Sequence, residues 1–295
     1  MTNTCRGRCL HCCEESGPDK GWARELSRDE ALKLARDITE LGIPYVAFGG
    51  GEPAAVPHFW DICEILYQGG TGVKIETDGL LLDAAAVAKL KSWDAACVQI
   101  SLDGASAAVH ERLRPGGSFA GAVDVVKRLA DAGLAPEVVF IPTRLNIGDA
   151  LGVYDLALQN GARTFVTGPL MRLGRAGAAW SELSVAPEVW TKTAVELKAR
   201  ALRDKNKLRL SIYPWDITEE IRVRRDSPQA MVLVVPDGKV KLLNALPFAP
   251  GDIRKQSLAE AWEAVKSTWK SPKVMDFISK VLVDPTLLKH ANECW

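Results

Sequence analysis

The apolar positions of this 295-residue chain alternate between helical and strand-like periods. Ala31, Leu32, Leu34, Ala35, Ile38 and Leu41 recur at helical spacing. Ser27 and Glu30 open that run as a capping box, and Gly42 ends it. Residues 45–48 then read as a short buried strand, closed abruptly by Gly49-Gly50-Gly51-Glu52-Pro53. The alternation repeats. Helices are expected over 60–67, 84–90, 120–132 and 151–159, and strands over 73–75, 97–100, 137–141 and 163–167. Strand–helix units of this length build a parallel sheet covered by helices, and about six of them suit an α/β fold of the partial (β/α)6 TIM-like barrel type. Each unusual polar motif falls at the C-terminal end of its strand, the face on which barrel enzymes assemble active sites.

Beyond Gly174-Arg175-Ala176-Gly177 the pattern changes. A helix over 187–203, a strand over 208–212 and helices over 257–265 and 272–281 are expected. A hairpin over 231–243 turns on Asp237-Gly238. These elements predict a small α+β extension, with residues 1–184 as the core barrel and 185–295 as a C-terminal domain. Only four residues precede Cys5, fewer than a typical strand, so a first barrel strand leading into the cysteine loop is expected to be clipped.

Composition narrows the function. Lys+Arg and Asp+Glu both number 37, so no net basic field invites nucleic acid or an anionic membrane. No apolar run approaches the length of a membrane span and the N-terminus lacks a signal-peptide pattern, so a cytoplasmic protein is expected. Of seven cysteines, Cys5, Cys9, Cys12 and Cys13 crowd one loop, which argues against a secreted disulfide framework. Cys63 and Cys97 sit in apolar patterns and read as small core residues. The C-x3-C-x2-C spacing of Cys5, Cys9 and Cys12 suits an iron–sulfur cluster. Four thiolates are the usual full ligation of a cubane, so three leave one iron open for a small molecule. The competing reading is a structural zinc knuckle completed by His11 or Cys13. Gly50 and Gly51 allow close backbone approach to a ligand, and Glu52 suits a cationic amino group.

On these motifs the chain resembles radical S-adenosylmethionine (radical SAM) enzymes over roughly its first 180 residues. Cys5, Cys9 and Cys12 match that family's cluster loop, with His11 where an aromatic residue is common and Cys13 as an extra, non-ligating thiol. The resemblance implies one [4Fe–4S] cluster whose open iron is chelated by the amino and carboxylate groups of S-adenosylmethionine. Gly50, Gly51, Glu52 and Pro53 match the GGEP motif, and Thr77 and Asp78 stand where ribose contacts are common. Ser101-Leu102-Asp103-Gly104, His110, Arg114 and Gly117-Ser118-Phe119 resemble the peptide- and cofactor-modifying branch. By that match Ser101 and Arg114 hold the ligand carboxylate, and Asp103 contacts cofactor or substrate.

The family's reaction begins with reductive cleavage of S-adenosylmethionine to a 5′-deoxyadenosyl radical, which abstracts a substrate hydrogen. It implies an electron donor such as a flavodoxin or ferredoxin. The expected substrate is a ribosomal peptide or a peptide-derived natural product or cofactor. The alternative is a small-molecule decarboxylase, dehydratase or epimerase in sugar, haem or antibiotic biosynthesis, and the alternative from another class is a zinc-stabilised or non-catalytic barrel. The C-terminal part is similar to a SPASM or twitch domain at Pro236-Asp237-Gly238-Lys239-Val240, Gly251-Asp252-Ile253 and 257–262, but has Leu242-Leu243-Asn244 where an auxiliary-cluster cysteine is expected. Cys294 is kept as a candidate hydrogen-atom donor. His58, His110 and His290 read as surface or helix-cap residues, and Gly174-Arg175-Ala176 as either a substrate-contacting loop or a plain turn.

Overall fold

The structure is a computed structural model that describes every residue except 94, 95, 206 and 229. Six strands lie side by side in chain order, all parallel: β1 (Tyr45–Phe48), β2 (Gly72–Thr77), β3 (Ala96–Ser101), β4 (Glu137–Phe140), β5 (Thr164–Thr167) and β6 (Arg209–Ile212). The register runs from Tyr45 opposite Gly72 to Thr164 opposite Arg209. Among the described residues β1 and β6 form the two edges of this sheet, so the barrel is partial, as its periodicity predicts.

The connecting helices are α1 (Arg28–Glu40), α2 (Phe59–Gln68), α3 (Ala84–Ser92), α4 (Ala107–Leu113), α5 (Phe119–Asp131), α6 (Ala150–Gln159), the short α7 (Gly174–Ala178) and α8 (Trp180–Leu183), and α9 (Pro187–Arg203). The predicted capping box at α1 is formed by both partners, Ser27 and Glu30. The expected boundary near residue 184 precedes α9 and β6, the last helix and strand of the parallel layer. The stretch from Gly174, expected as a turn or loop, opens α7 instead.

Strand alternation separates two faces of the sheet. Val73, Ile75, Val98, Val138, Phe140 and Phe165 pack under the helices in the main core, where Phe165 stacks on Phe140 and meets the edge of Tyr154. Lys74 and Glu76 point the opposite way, and Lys74 Nζ stands 3.2 Å from Glu137 Oε2 on β4. Cys97 belongs to this polar face: it is half-buried beside Glu137, not in the core where its apolar surroundings in sequence placed it. Cys63 is fully buried, as expected.

The C-terminal part adds α10 (Ile217–Asp226), a small antiparallel sheet of β7 (Leu233–Val234), β8 (Lys239–Lys241) and β9 (Gly251–Asp252), then α11 (Leu258–Trp269) and α12 (Pro272–Val283). Gly238, at φ +84, makes the predicted Asp-Gly turn between β7 and β8. These elements bury their own apolar cluster, centred on Val240, Leu246, Ala261, Ile278 and Val281. Arg254 fastens the extension to the start of α1, with Nε 2.6 Å from Glu30 Oε1 and Nη2 2.9 Å from the Arg24 carbonyl. Among the described residues no helix is long and apolar enough to cross a membrane.

Phe165 has no exposed surface and contacts two aromatic rings. Phe165→Ala is expected to cost about 3–5 kcal/mol, through lost burial and the cavity left behind. Urea unfolding followed by circular dichroism checks this; a loss under about 1 kcal/mol would place Phe165 outside the core.

Candidate active site

Residues 5–17 hold the cysteines outside any helix or strand, so their backbone groups need partners elsewhere. The Arg8 and Leu10 N–H groups donate to the Pro115 and Leu113 carbonyls, both at 2.9 Å, behind α4. The chain before Cys5 pairs with the end of β1: Gly51 N donates to Thr2 O at 2.9 Å and Glu52 N to Thr4 O at 3.0 Å. A Cβ at Gly51 would collide with the Thr4 carbonyl, so glycine here permits the close approach of the two segments. This pairing sets the Gly-Gly-Glu motif directly against the cysteine loop.

Glu52 is 3% exposed. Thr77 Oγ1 lies 2.8 Å from both carboxylate oxygens, and the Asp78 and Ala54 N–H groups donate at 3.2 Å. Among the described residues no lysine or arginine forms an ion pair with it; the nearby Arg6 turns to Asp78 at 3.5 Å instead. Burial pushes the Glu52 carboxyl up to about 7, and the Asp78 charge adds to the shift against those hydrogen bonds. The end of β1 thus carries a buried acid that lacks a cation.

Asp103, fully buried beyond β3, organises the other side. Arg114 Nε reaches its Oδ2 at 2.5 Å, His11 Nε2 reaches the same oxygen at 3.1 Å, and the Ile141 N–H donates to Oδ1 at 2.7 Å. Burial opposes its ionisation, but the Arg114 charge and His11 overcome that and hold the carboxyl well below its usual range. Burial likewise disfavours charge on Arg114, and Asp103 more than restores it. The guanidinium continues to the cysteine loop, with Nη1 3.6 Å from Cys9 Sγ. Burial raises the Cys5 and Cys9 thiols, while Arg114 pulls Cys9 back.

The predicted residues therefore separate. Cys5, Cys9 and Cys12 share the loop, while Cys13 packs against the C-terminal core, where burial raises its thiol well above the usual value. Pro53 is buried at the start of a short 3₁₀ turn after Glu52. Ser101 ends β3 half-exposed, and the expected carboxylate partner Arg114 is engaged with Asp103. Asp103 is braced from three sides. Cys294 is half-buried in the tail, its thiol raised by burial against the pull of Lys241. His110 is 2% exposed, not a surface residue: its Nδ1 accepts from the Asp103 N–H at 3.1 Å, and burial lowers it to about 4. Asn146, which drew no attention in the sequence, is also buried and donates to the Asp103 and Ile141 carbonyls, each at 3.0 Å. A cavity of about 1610 Å³ runs along α1 and the edge strand β1 to the C-terminal part, past Glu14, Glu76, Tyr213, Trp215 and Lys241; of the candidate site residues, Gly50 alone lines it.

Thiolates are the usual donors of iron–sulfur clusters, and the three loop cysteines supply that donor type. Among the described residues no three His, Cys, Asp or Glu side chains close around a single-ion position. Of the extra donors of a zinc knuckle, Cys13 packs in the C-terminal core, while His11 places Nε2 on Asp103 and keeps a buried Nδ1 with no partner among the described residues. The three loop thiols beside a buried, cation-free carboxylate fit a [4Fe–4S] cluster together with the amino group of S-adenosylmethionine.

A loop of three cysteines at the mouth of a partial parallel barrel, facing a glycine–glutamate strand end, defines a cluster-dependent enzyme class. Residues 1–149 match the radical SAM superfamily, and the chain belongs to it. Over 185 residues it is 36% identical to the mycofactocin maturase MftC of Mycobacterium ulcerans, covering 62% of this chain and 49% of that protein. It is 27% identical over 290 residues to an AdoMet-dependent heme synthase of Methanosarcina barkeri, covering 89% of this chain and 80% of that protein. The fold also matches a crystal structure of Streptococcus suis SuiB bound to precursor peptide SuiA, with a TM-score of 0.76 at 11% identity, over 94% of this chain and 65% of that one. The chain spans about half the length of the curated maturases it matches.

Glu52 yields a pH signature in protein prepared without cofactor. Its folded carboxyl titrates near 7 and its unfolded one near 4.5, so the native state binds the extra proton in between and stability falls as pH rises through that window. At about 1.4 kcal/mol per unit the fall amounts to about 3 kcal/mol. Glu52→Gln is expected to remove it, as read from urea midpoints of both proteins at pH 5 and 7.5; parallel curves would refute the assignment.

Proposed function

We propose that this protein reductively cleaves S-adenosylmethionine at one [4Fe–4S] cluster held by Cys5, Cys9 and Cys12, and modifies a ribosomal peptide or a peptide-derived natural product. When bound, the cluster and S-adenosylmethionine supply one-electron chemistry that generates a 5′-deoxyadenosyl radical able to abstract a substrate hydrogen. The chain's share is binding, orientation and exclusion of water. The observation that carries the reading is the buried Glu52 carboxylate, which has no ion-pair partner among the described residues and sits on a residue whose backbone N–H donates to the Thr4 carbonyl, next to Cys5. A cationic amino group placed there gains a charge-assisted bond and relieves the cost of burying the acid.

Thr77 and the Asp78 N–H orient that carboxylate, and Gly51 lets the strand end pack against the segment that leads to Cys5. Asp78 is suited to a ribose hydroxyl. Arg114 is held near Cys9 by Asp103, within the electrostatic reach of a ligand carboxylate, and Ser101 stands half-exposed at the neighbouring strand end. The C-terminal part, read as a SPASM- or twitch-like scaffold without a second cluster, lines the large cavity together with α1 and β1. An external electron donor such as a flavodoxin or ferredoxin completes the system. The similarity to a maturase supports the peptide reading. A second reading, a small-molecule enzyme of haem chemistry, is favoured by the longer match to the heme synthase.

Anaerobically reconstituted protein with a reductant is expected to form 5′-deoxyadenosine from S-adenosylmethionine, and zinc in the site with no cleavage product would end the proposal. Cys9→Ala should abolish cluster binding while Cys13→Ala leaves it nearly intact, as read by iron and sulfide analysis. Loss in both variants would show that the ligand set is wrong. Assays with candidate precursor peptides and with porphyrins separate the two substrate readings.

A further inference from the structure

Four carbonyl groups of the cysteine loop are met by two residues remote in sequence, and of these the Cys9 carbonyl also accepts the Cys12 N–H within the loop. Arg175 Nε donates to the Cys9 carbonyl at 2.8 Å, and its Nη2 to the Ser16 carbonyl at 2.6 Å. The Arg175 backbone N–H donates to the Cys12 carbonyl at 3.0 Å. Asn292 Nδ2 takes the Cys13 carbonyl and Glu15 Oε2, both at 2.8 Å. Gly174, at φ +50, makes the approach possible, because a Cβ there would collide with the Cys12 and Cys13 carbonyl oxygens.

Arg175 forms no ion pair with a carboxylate among the described residues; its side chain is spent on backbone oxygens, and its charge lies close enough to favour the Cys9 thiolate. A planar guanidinium can span two carbonyls at fixed separation, which an ammonium cannot. We infer that Arg175 is a positioning residue: seated by Gly174 and seconded by Asn292, it presets the backbone of the three-cysteine loop for the cluster. The same contacts make the tail around Asn292 part of the cluster's support. The inference rests on the radical SAM reading above.

The test uses the full chain, reconstituted anaerobically, as wild type, Arg175→Lys, Arg175→Ala and Val281→Ala. Val281 is fully buried in the C-terminal core and serves as a control for general destabilisation. Iron content, the rate of iron loss to a chelator and the electron paramagnetic resonance spectrum of the reduced cluster with and without S-adenosylmethionine are measured. Both Arg175 variants are expected to lose iron about ten- to a hundredfold faster, with altered spectra, as for other residues that orient metal ligands. Val281→Ala should lower the melting temperature but keep the wild-type rate and spectrum. Wild-type behaviour in both Arg175 variants overturns the inference, as does equal acceleration in Val281→Ala. A wild type that holds no cluster, or whose spectrum ignores S-adenosylmethionine, instead overturns the functional reading on which the inference rests.

Discussion

The contacts of the Asp103 carboxylate underlie the geometry of one side of the site. One oxygen gathers Arg114 and His11, the other takes the Ile141 N–H, and the backbone of the same residue is held by His110 and Asn146. Three stretches distant in sequence meet at this residue: the cysteine loop, the end of β3 with the following α4, and the turn after β4. An ionised carboxylate at zero exposure is tolerable only when paired and hydrogen-bonded, and each of these partners is therefore fixed by the cost of leaving the charge unmet. The requirement also aims the Arg114 guanidinium at Cys9, so that the electrostatics of the thiol follow from the packing of the strand ends.

Glu52 shows the opposite arrangement at the end of β1, two strands away from β3. Its hydrogen bonds come from neutral donors, Thr77 and two backbone N–H groups, and among the described residues no lysine or arginine forms an ion pair with it. The two acids contrast across β2, which lies between their strands: Asp103 is saturated by charged and neutral partners, and Glu52 by neutral donors alone. The C-terminal part adds its own core, a tie from Arg254 to α1 and part of the lining of the cavity.

Much of the fold was legible because its elements are locally consistent. The capping box of α1, the helix over 187–203 and the strand over 45–48 stand where periodicity put them. Legibility failed where the outcome depended on partners far along the chain. Cys97 lies in an apolar run, yet strand alternation turns it to the polar face beside Glu137. His110 and Asn146 carry no local signature of burial, because what buries them is the Asp103 loop. Gly174-Arg175 was visible as a motif but not as a brace, since the carbonyls it meets lie some 160 residues earlier, between Cys9 and Ser16 (|i−j| 166 and 159).

The sequence by itself determined the chemistry on offer: three thiols at cluster spacing, glycines before a glutamate, and polar motifs at successive strand ends. Spacing and residue type encode these because they are local properties of the chain. Only the tertiary structure decided the state of each group. It left Glu52 without a cation, tied Arg114 to Asp103 instead of leaving it free, turned Cys13 away from the cluster loop, and clamped that loop with Arg175. Burial and ion pairing are set by whatever the folded chain brings within a few ångström, and no pattern along the sequence records that distance.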